Sequence, residues 1–442
     1  MATLASPGSG PCRRRHCAAL SVSLLAAAGV ALPAAQASAG GGRTLEGYPA
    51  GAQATTTPSP VQVLVDTAKP GDHIKLHAGT YTGQITISQS GTAAAPITIE
   101  PYGDGPVTLT ADFPAEPCGN TKPAMNRTIF AAGGVDYWTI QKMKIVNGIW
   151  ISGSNFDTVA AWFHGRADAH DWQTRRSLPG RGIQDPVAAK GIYSALSNKL
   201  GVNVDPAEGW RILGNDISGR GVHGTVTRGG EIGNNKIHNI ACGIGPAVWV
   251  VTYSDFWKVH HNRINTVAAS TWKHYMQEGI RVGGASNYNR VEYNTVSDLP
   301  GDGRGINTDI DASYNTFQRN TVMRAEIGFN DQQSGWQNTW AYNTADAIRG
   351  SGFNFRNKDA TLSAPSMDTS TYKSLVQCNR VTNSPLAMTA GALNASTFTN
   401  NYFNKISLSA NLQRYWTQYK NTWNGSSAVP PPSPPQPPAG AC

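Results

Sequence analysis

The residues with the clearest potential for chemistry lie in the segment Asn307-Thr308-Asp309-Ile310-Asp311. If this segment is a strand, alternation directs Asn307, Asp309 and Asp311 to the same side. Two such carboxyl groups suit acid–base work, in which one protonates a leaving oxygen and the other activates water or attacks. Asp331, which follows Asn330, is an alternative partner for Asp309. The same carboxylates suit Ca²⁺, for which Asp309 and Asp311 are the candidate ligands.

A second chemistry is open to the cationic and basic residues of the same region. Removal of a proton beside a carboxylate requires a base, together with a cation that neutralises the carboxylate. Arg281, Arg356 or Lys273 can supply the cation, and His223, Lys273 or Tyr275 the base. The candidate catalytic residues are therefore Arg281, Asp309, His223, Asp331, Lys273 and Tyr275, and the candidate substrate-binding residues are Asn307, Asn330, Arg356, Trp150 and Glu278.

These candidates lie within a repeat. The pattern Asn-x-aliphatic recurs at spacings of 20, 27, 32, 26, 23, 36 and 22 residues, which fits one coil of a solenoid with loops inserted on one side. Asn suits the corner of such a coil, because it tolerates a left-handed backbone and can bond to a stacked copy of itself. The copies begin at Asn215, Asn235, Asn262, Asn294, Asn320, Asn343, Asn379 and Asn401.

A Gly-apolar pair follows each corner and predicts a second strand in each coil. Alternation places the apolar residue inside and the next residue outside. The residues two positions after each Gly form one predicted outward column, Trp150, His223, Gly245, Arg281, Asn307, Asn330 and Asn354. The residues four positions after it form another, Ser152, Thr225, Ala247, Gly283, Asp309, Gln332 and Arg356. We therefore expect an all-β protein, a parallel β-helix.

The chain divides into five parts by composition. Residues 1–39 resemble a secretory signal peptide, with three arginines before an apolar run and small residues at its end, so we expect a secreted, extracellular or cell-wall protein. Residues 40–58 read as a flexible lead-in. Ser59-Pro60 begins a short helix that would cap the open end of the β-helix, which extends over residues 59–425. Residues 157–209 are a long insertion suited to a binding wall, and residues 426–442 are a proline-rich tail.

Charge and cysteine content limit the partners. The net charge of +8 comes without a dense basic run after residue 39, so we expect an anionic polysaccharide as partner, with no nucleic acid, no membrane association and a monomeric state. The four later cysteines are Cys118, Cys242, Cys378 and Cys442; their spacing does not suggest zinc, and all three pairings into two disulfides stay open. Asn126, Asn394 and Asn424 fit the acceptor pattern for glycosylation in a eukaryotic host.

Three stretches near the start carry a resemblance to a known family. Lys69-Pro-Gly-Asp72, Leu76-His-Ala-Gly-Thr-Tyr81 and Ala95-Pro-Ile-Thr-Ile99 resemble the opening of the pectate lyase-like superfamily. With the repeats, the resemblance covers roughly residues 60–410, and it implies a right-handed parallel β-helix. Members of this superfamily include lyases, hydrolases, epimerases and inactive proteins. Asn307-Thr-Asp309 also resembles the Asn-Thr-Asp motif of polygalacturonase-type hydrolases, whose Asp is catalytic, although the other motifs of those enzymes do not follow here.

Three functions remain open from the sequence. The first is a secreted enzyme that cleaves an acidic, uronate-containing polysaccharide by β-elimination, with Ca²⁺ as the one possible cofactor. The second is a polygalacturonase-like hydrolase that uses Asp309. The third is a non-catalytic protein that binds glycans of a cell wall or extracellular matrix.

Overall fold

The computed structural model describes residues 42–49, 60–118, 125–167, 191–269, 277–310, 312–332, 337–356, 374–390, 396–403, 406–408, 417–419 and 422–423. Within them the chain winds through three parallel sheets in turn, and strands of successive coils pair side by side. This confirms the predicted right-handed parallel β-helix. The predicted signal peptide and proline-rich tail lie outside the described residues.

The strands are numbered in chain order and grouped by sheet. Sheet A has thirteen described strands: β1 (Thr44–Gly47), β2 (His73–Leu76), β5 (Ile97–Pro101), β8 (Trp138–Gln141), β12 (Arg211–Leu213), β16 (Glu231–Gly233), β19 (Lys258–His260), β22 (Arg290–Glu292), β25 (Thr316–Gln318), β28 (Thr339–Ala341), β31 (Leu375–Gln377), β34 (Thr397–Thr399) and β37 (Thr417–Tyr419). Sheet B has twelve: β3 (Gly79–Thr82), β6 (Val107–Thr110), β9 (Lys144–Val146), β13 (Asp216–Gly219), β17 (Lys236–Ile240), β20 (Arg263–Val267), β23 (Thr295–Ser297), β26 (Thr321–Met323), β29 (Thr344–Asp346), β32 (Arg380–Thr382), β35 (Tyr402–Phe403) and β38 (Thr422–Trp423).

Sheet C, which follows sheet B in each coil, has eleven described strands: β4 (Ile85–Ile87), β7 (Ile129–Ala131), β10 (Ile149–Ser152), β14 (Val222–Thr225), β18 (Val248–Val251), β21 (Glu278–Gly283), β24 (Arg304–Thr308), β27 (Ile327–Gln332), β30 (Ser351–Arg356), β33 (Leu386–Ala390) and β36 (Ile406–Leu408). A two-stranded sheet joins β11 (Ala207–Glu208) to β15 (Thr227–Arg228).

The core consists of columns of apolar side chains, one per coil, that point into the solenoid. Because the strands are parallel and in register, equivalent residues lie directly above one another at the spacing of hydrogen-bonded strands, about 4.8 Å. One column in sheet A shows the pattern, and each of its members is at most 1% exposed: Ile140, Ile212, Ile232, Val259, Val291, Phe317, Trp340, Val376 and Phe398.

The predicted asparagine corners form a continuous buried ladder between sheets A and B. Asn294 is typical: its Nδ2 donates to Val259 O at 2.8 Å and to Asn320 Oδ1 at 3.0 Å, and its Oδ1 accepts from Asn262 N at 3.0 Å. The same contacts run through all eight predicted copies, from Asn215 to Asn401. The predicted reason is wrong in one respect, because the left-handed residue is the one before each ladder Asn, for example Tyr293 at φ 57°.

A second amide ladder, which the sequence reading missed, lies between sheets C and A. Trp257 N donates to Asn289 Oδ1 at 2.8 Å, Asn289 N to Asn315 Oδ1 at 2.8 Å, and Asn315 N to Asn338 Oδ1 at 3.0 Å. Buried amides satisfy the backbone groups that the corners leave unpaired. Two of the three corners of each coil are therefore fixed by side-chain hydrogen bonds in this part of the chain.

The N-terminal end of the solenoid is capped as predicted. Helix α1 (Pro60–Thr67) buries Val61 and Val65 against the core. The predicted flexible lead-in is partly wrong, because Thr44–Gly47 is strand β1 and pairs in parallel with β2. Asp72 fixes this edge: it accepts from Arg43 Nη2 at 2.5 Å and from Lys69 N at 2.8 Å, and the Arg43 contact holds the pKa of Asp72 at about 2.

The described part of the insertion between β10 and β11 includes two helices that pack beside sheet C. Helices α2 (Phe156–Ala167) and α3 (Gly191–Leu200) share a second apolar cluster with the turns that leave sheet C. These turn residues are Val226, Tyr253, Ala285 and Ile310, all with positive φ. Among the described residues, no helix has the length and apolar character needed to cross a membrane.

A disulfide bond joins distant coils. Cys118 and Cys242 are bonded across a sequence separation of 124 residues. Cys378 is disulfide-bonded as well. The prediction that the later cysteines form disulfides rather than a zinc site is confirmed for these three residues.

Candidate functional site

The outward face of sheet C contains an ordered column of aromatic and polar side chains. Strand pairing aligns Trp150, His223, Trp249, Arg281, Asn307, Asn330 and Asn354 in successive coils. Two predicted members are wrong. Gly245 and Ala247 precede β18, because the turn after Cys242 is longer than in the other coils, so Trp249 and Val251 occupy those columns instead.

Three neighbouring aromatic rings lie between two arginines at the N-terminal end of this column. The His223 ring lies between two tryptophans, with centroid distances of 3.7 Å to Trp150 and 4.4 Å to Trp249. Arg127 lies over Trp150 at 5.5 Å, and Arg281 over Trp249 at 5.3 Å. Burial, together with the charges of Arg127 and Arg281, lowers the pKa of His223 well below its ordinary value. His223 is therefore neutral near pH 7.

A buried charge cluster lies where β21 and β24 pair. Arg281 Nη2 donates to Asp309, and Arg281 Nη1 donates to Glu278 Oε1 at 3.4 Å. All three side chains are at most 4% exposed. Burial raises the pKa of Glu278 despite the opposing charges of Arg281 and Arg304.

The backbone at the corner between sheets B and C explains why Glu278 reaches this face. A Cβ at Gly279 would lie 2.4 Å from Val296, and one at Gly305 would lie 2.3 Å from Val322. Both glycines therefore point inward, directly before an inward isoleucine. Because the glycine and the isoleucine after it both face inward, the residue before each glycine faces outward. That residue is Glu278 in one coil and Arg304 in the next.

Amide groups extend the site towards the C-terminal coils. Arg304 Nη1 donates to Asn307 Oδ1 at 3.3 Å, and Asn330 Nδ2 donates to the same oxygen. Asn354 Nδ2 donates to Asn330 Oδ1 at 2.8 Å, and Thr389 Oγ1 donates to Asn354 Oδ1 at 2.8 Å. The column thus changes from aromatic and charged to neutral and hydrogen-bonding along the solenoid axis.

Several buried polar atoms on this face have no hydrogen-bond partner among the described residues. They are Trp150 Nε1, His223 Nδ1, Trp249 Nε1, Glu278 Oε2 and Asn307 Nδ2. An unsatisfied buried polar atom costs about 1–3 kcal/mol, so native proteins rarely keep one without a reason. Five of them on one face point to a polar ligand that supplies both donors and acceptors.

Two walls border this face. On the side of sheet B, the Cys118–Cys242 disulfide holds the connection between β6 and β7 beside later coils. Arg220 reinforces it, since its guanidinium donates to Pro114 O at 2.9 Å and to Asn126 O at 3.1 Å. On the side of sheet A lie helices α2 and α3, and Phe156 of α2 contacts Trp150 with ring centroids 6.2 Å apart. We call this bordered face the groove of sheet C; its column side chains from Trp150 to Asn330 are at most 8% exposed.

Asp331 does not share this groove with Asp309. By register it aligns with Thr308 and Phe355, on the inward side of sheet C. Its carboxylate accepts from Thr308 Oγ1 at 2.9 Å and from Trp340 Nε1 at 2.9 Å. Burial raises its pKa to about 6. The structure thus separates the carboxyl pair Asp309 and Asp331 into outward and inward positions, because consecutive residues of a strand face opposite sides.

The remaining predicted residues lie outside the described part of the site. Lys273, Tyr275 and Asp311 are not described, and Arg356 is described only as a member of β30. The predicted Ca²⁺ site therefore stays a prediction. Asp309 alone does not fit a cation as it stands, because its oxygens accept from Arg281 and from Ile310 N at 2.9 Å. Among the described residues, no group of three or more His, Cys, Asp and Glu could hold a metal ion.

Sequence reasoning missed two residues of the groove, Arg304 and Arg127, and did not place a third, Trp249, in the column. Arg304 and Arg127 contact the column from outside its register, and Trp249 was displaced by the long turn before β18. A signal for Arg304 was present in the sequence, since it precedes a repeat glycine just as Glu278 does. Arg127 lies at the end of a long connection, and no repeat position marks it.

The fold and the groove define a right-handed parallel β-helix protein whose polar floor is built from one residue per coil. No family model matches the chain. A pectate lyase, PEL9 of Emericella nidulans, is 23% identical over 323 residues, which are 68% of this chain and 71% of that protein. The resemblance to the pectate lyase-like superfamily is confirmed by this likeness and by the fold.

The solved structures that match the chain are more distant in sequence. An alginate lyase from Paenibacillus sp. str. FPU-7 is 17% identical, covers 79% of this chain and 98% of its own, and has a TM-score of 0.41. An exopolygalacturonase from Thermotoga maritima is 12% identical, covers 80% and 85%, and has a TM-score of 0.43.

Proposed function

We propose that the protein is a secreted enzyme that cleaves a uronate-containing polysaccharide by β-elimination in the groove of sheet C. The observation that supports this most is the buried cluster of Arg281 with Asp309 and Glu278. It places a cation, with a carboxyl group of raised pKa beside it, on the floor of a groove. The similarity to a pectate lyase supports the same substrate class.

In the proposed reaction Arg281 and Arg304 bind the carboxylate of the sugar at the cleavage point. Their charge stabilises the negative charge that develops when the adjacent carbon loses its proton. The electron pair of that C–H bond then forms a C=C bond, and the bond to the glycosidic oxygen breaks. Because burial raises the pKa of Glu278, this carboxyl group can hold a proton and give it to the leaving oxygen.

Three residues are candidates for the proton acceptor. His223 is neutral, and its Nδ1 has no hydrogen-bond partner among the described residues, so the imidazole can accept a proton. Its low pKa makes it a weak base. Lys273 and Tyr275 precede Glu278 by five and three residues, and both remain candidates for this role.

Hydrolysis is a second candidate, and one observation favours it. Glu278 and Asp309 are two buried carboxyl groups that both accept from the Arg281 guanidinium, and burial raises the pKa of Glu278. A pair of neighbouring carboxyl groups, one of them able to hold a proton, is the equipment of a glycosidase. This version of the hydrolase pairs Asp309 with Glu278, because Asp331 faces inward.

The test is turnover of polygalacturonate, alginate and glycosaminoglycans, with and without added Ca²⁺. Elimination produces new reducing ends together with absorbance from the unsaturated uronate. Arg281→Ala should lower kcat by at least about 100-fold, as expected for loss of a group that stabilises developing charge. Arg290→Ala, which removes a half-exposed arginine from the outward side of sheet A, should leave turnover unchanged.

Each other outcome has a definite meaning. Reducing ends without unsaturated product would favour hydrolysis by Glu278 and Asp309. Full activity in Arg281→Ala would refute the proposed site. No new ends from any uronate polymer would refute enzymatic cleavage and favour the non-catalytic glycan-binding protein.

A further inference from the structure

A second polar surface lies at the corner between sheets A and B, the one corner of the coil that sheet C does not share. Seven large apolar side chains are exposed among the described residues, and five of them lie along this edge. All five are tyrosines: Tyr48, Tyr102, Tyr293, Tyr342 and Tyr402. Such clustering is informative, because singly scattered apolar residues are the ordinary case.

The corner residues after sheet A form a stack of rings and cations. The His261 and Tyr293 rings stack with centroids 4.9 Å apart. The Arg319 guanidinium lies between two tyrosines, 5.4 Å from Tyr293 and 5.4 Å from Tyr342. All four residues have positive φ, which bulky side chains adopt only at a cost. Glycine or asparagine would avoid that cost. The backbone conformation therefore does not explain why aromatic and cationic side chains occupy these positions.

The stack begins beside a hollow. The two preceding corners hold only Gly214 and Asn234, which are too small to continue the rings. The resulting groove has a volume of about 450 Å³ and is lined by Asn234, Lys236, His261, Arg263, Tyr293 and Thr295. We name it the A–B groove.

The charges of the A–B groove favour an anion. Lys236 and Arg263 are neighbours in sheet B, and both are exposed. Lys236 forms an ion pair with Asp216 at 3.3 Å, whereas Arg263 has no ion-pair partner among the described residues. In the first outward column of sheet B, the described cations are Lys144, Lys236, Arg263 and Arg380, and the described anion is Asp216.

We propose that the A–B groove is a second binding site for an acidic polysaccharide, separate from the groove of sheet C. Carboxylates of the polymer would contact Lys236 and Arg263, while a sugar ring would lie against His261 and Tyr293. Because cations and tyrosines continue along the edge at about 4.8 Å per coil, an extended polymer can contact several coils in succession. The ligand class is taken from the proposed function, but the site does not depend on cleavage.

The experiment uses affinity electrophoresis of the full chain in gels that contain polygalacturonate, with neutral dextran as the reference. All variants are made in an Arg281→Ala background, so that loss of turnover and loss of the A–B groove are measured separately. Adding Lys236→Ala and Arg263→Ala should weaken retardation about five- to tenfold, the size expected for two exposed charge contacts. Raising the salt concentration should weaken retardation of the parent in the same way.

A matched control removes the same charge elsewhere. Lys69 and Arg290 are exposed at the N-terminal cap and in β22 of sheet A, and Lys69→Ala with Arg290→Ala should leave retardation unchanged. Equal weakening by the control pair, or none by the groove pair, would overturn the site. A groove pair that loses retardation by DNA but keeps it with polygalacturonate would overturn the ligand class. If Arg281→Ala keeps full turnover, the proposed function fails while the binding result still decides the A–B groove.

Discussion

Replacement of Asp331 by asparagine should stabilise the folded protein at neutral pH. The Asp331 carboxyl lies inside the solenoid, where it accepts hydrogen bonds from Thr308 and Trp340. An asparagine has nearly the same shape and can keep one acceptor towards Trp340, while its NH₂ group donates to the Thr308 hydroxyl. It removes only the negative charge, and that charge is what burial opposes.

The magnitude follows from the pKa. Burial raises the pKa of Asp331 from 3.8 to about 6, and each pKa unit is worth 1.36 kcal/mol, so ionisation costs the fold about 3 kcal/mol. The folded state binds the proton more tightly than the unfolded state does. Stability from this group is therefore greatest below pH 3.8, declines as the pH rises to about 6, and stays low above that. Asp331→Asn should gain about 2–3 kcal/mol at pH 8 and almost nothing at pH 4.

Urea unfolding followed by tryptophan fluorescence, at pH 4 and pH 8, measures this difference. Asp346→Asn is the matched control with the opposite sign, because hydrogen bonds from Thr382 and Asn383 lower the pKa of Asp346. That variant should lose stability at pH 8. If Asp331→Asn is destabilised equally at both pH values, the inward carboxyl does not bear a burial cost and our account of it is wrong.

Two further predictions concern the framework. Asn294→Ala should lower the free energy of unfolding by about 3 kcal/mol or more, because it leaves Asn262 N buried without its partner and removes the hydrogen bonds to Val259 O and Asn320 Oδ1; the half-buried surface change Asn265→Ala should cost less than about 0.5 kcal/mol, and equal losses in urea titrations would contradict the role of the ladder. Replacement of both Cys118 and Cys242 by serine should cost about 5 kcal/mol, the loop-closure value for a separation of 124 residues, so an unchanged Tm relative to the oxidised parent would refute the assignment of a stabilising clamp.

The repeat made most of the fold predictable from the sequence. A spacing close to one coil, with Asn and Gly-apolar pairs in constant order, specifies which residues stack, and all eight predicted asparagines lie in one ladder. Gly243 is the exception. It matched the sequence pattern, but the turn after Cys242 is lengthened where the chain passes Pro117, and a Cβ at Gly243 would lie 2.2 Å from Pro117 O. A contact with a residue far away in sequence thus shifted the register by four residues, which local spacing cannot reveal.

The candidate site was less predictable, because it depends on direction as well as register. Alternation correctly placed Arg281, Asn307 and Asn330 on the outward face of sheet C. It fails at the corner, where Gly279 takes an extra inward position and Glu278 turns outward. The contacts of Arg281 with both Glu278 and Asp309 depend on the three-dimensional arrangement of the strands, and the composition of the chain does not indicate them.

The asparagine ladder has a consequence for how such a chain can change in length. Each ladder asparagine forms the same hydrogen bonds with the asparagines above and below it, so every coil presents the same hydrogen-bonding groups to its neighbours. A segment from one ladder position to the residue before the next, such as 294–319, could therefore be deleted or duplicated. After such a deletion Asn262 would form with Asn320 the hydrogen bonds that it now forms with Asn294. Removal of a single residue within a strand has no such remedy, because it would exchange the inward and outward faces of the residues that follow. The connecting loops already differ in length from coil to coil, but the stacked strands can change in number only by whole coils, and a groove assembled from one residue per coil is lengthened or shortened by the same step.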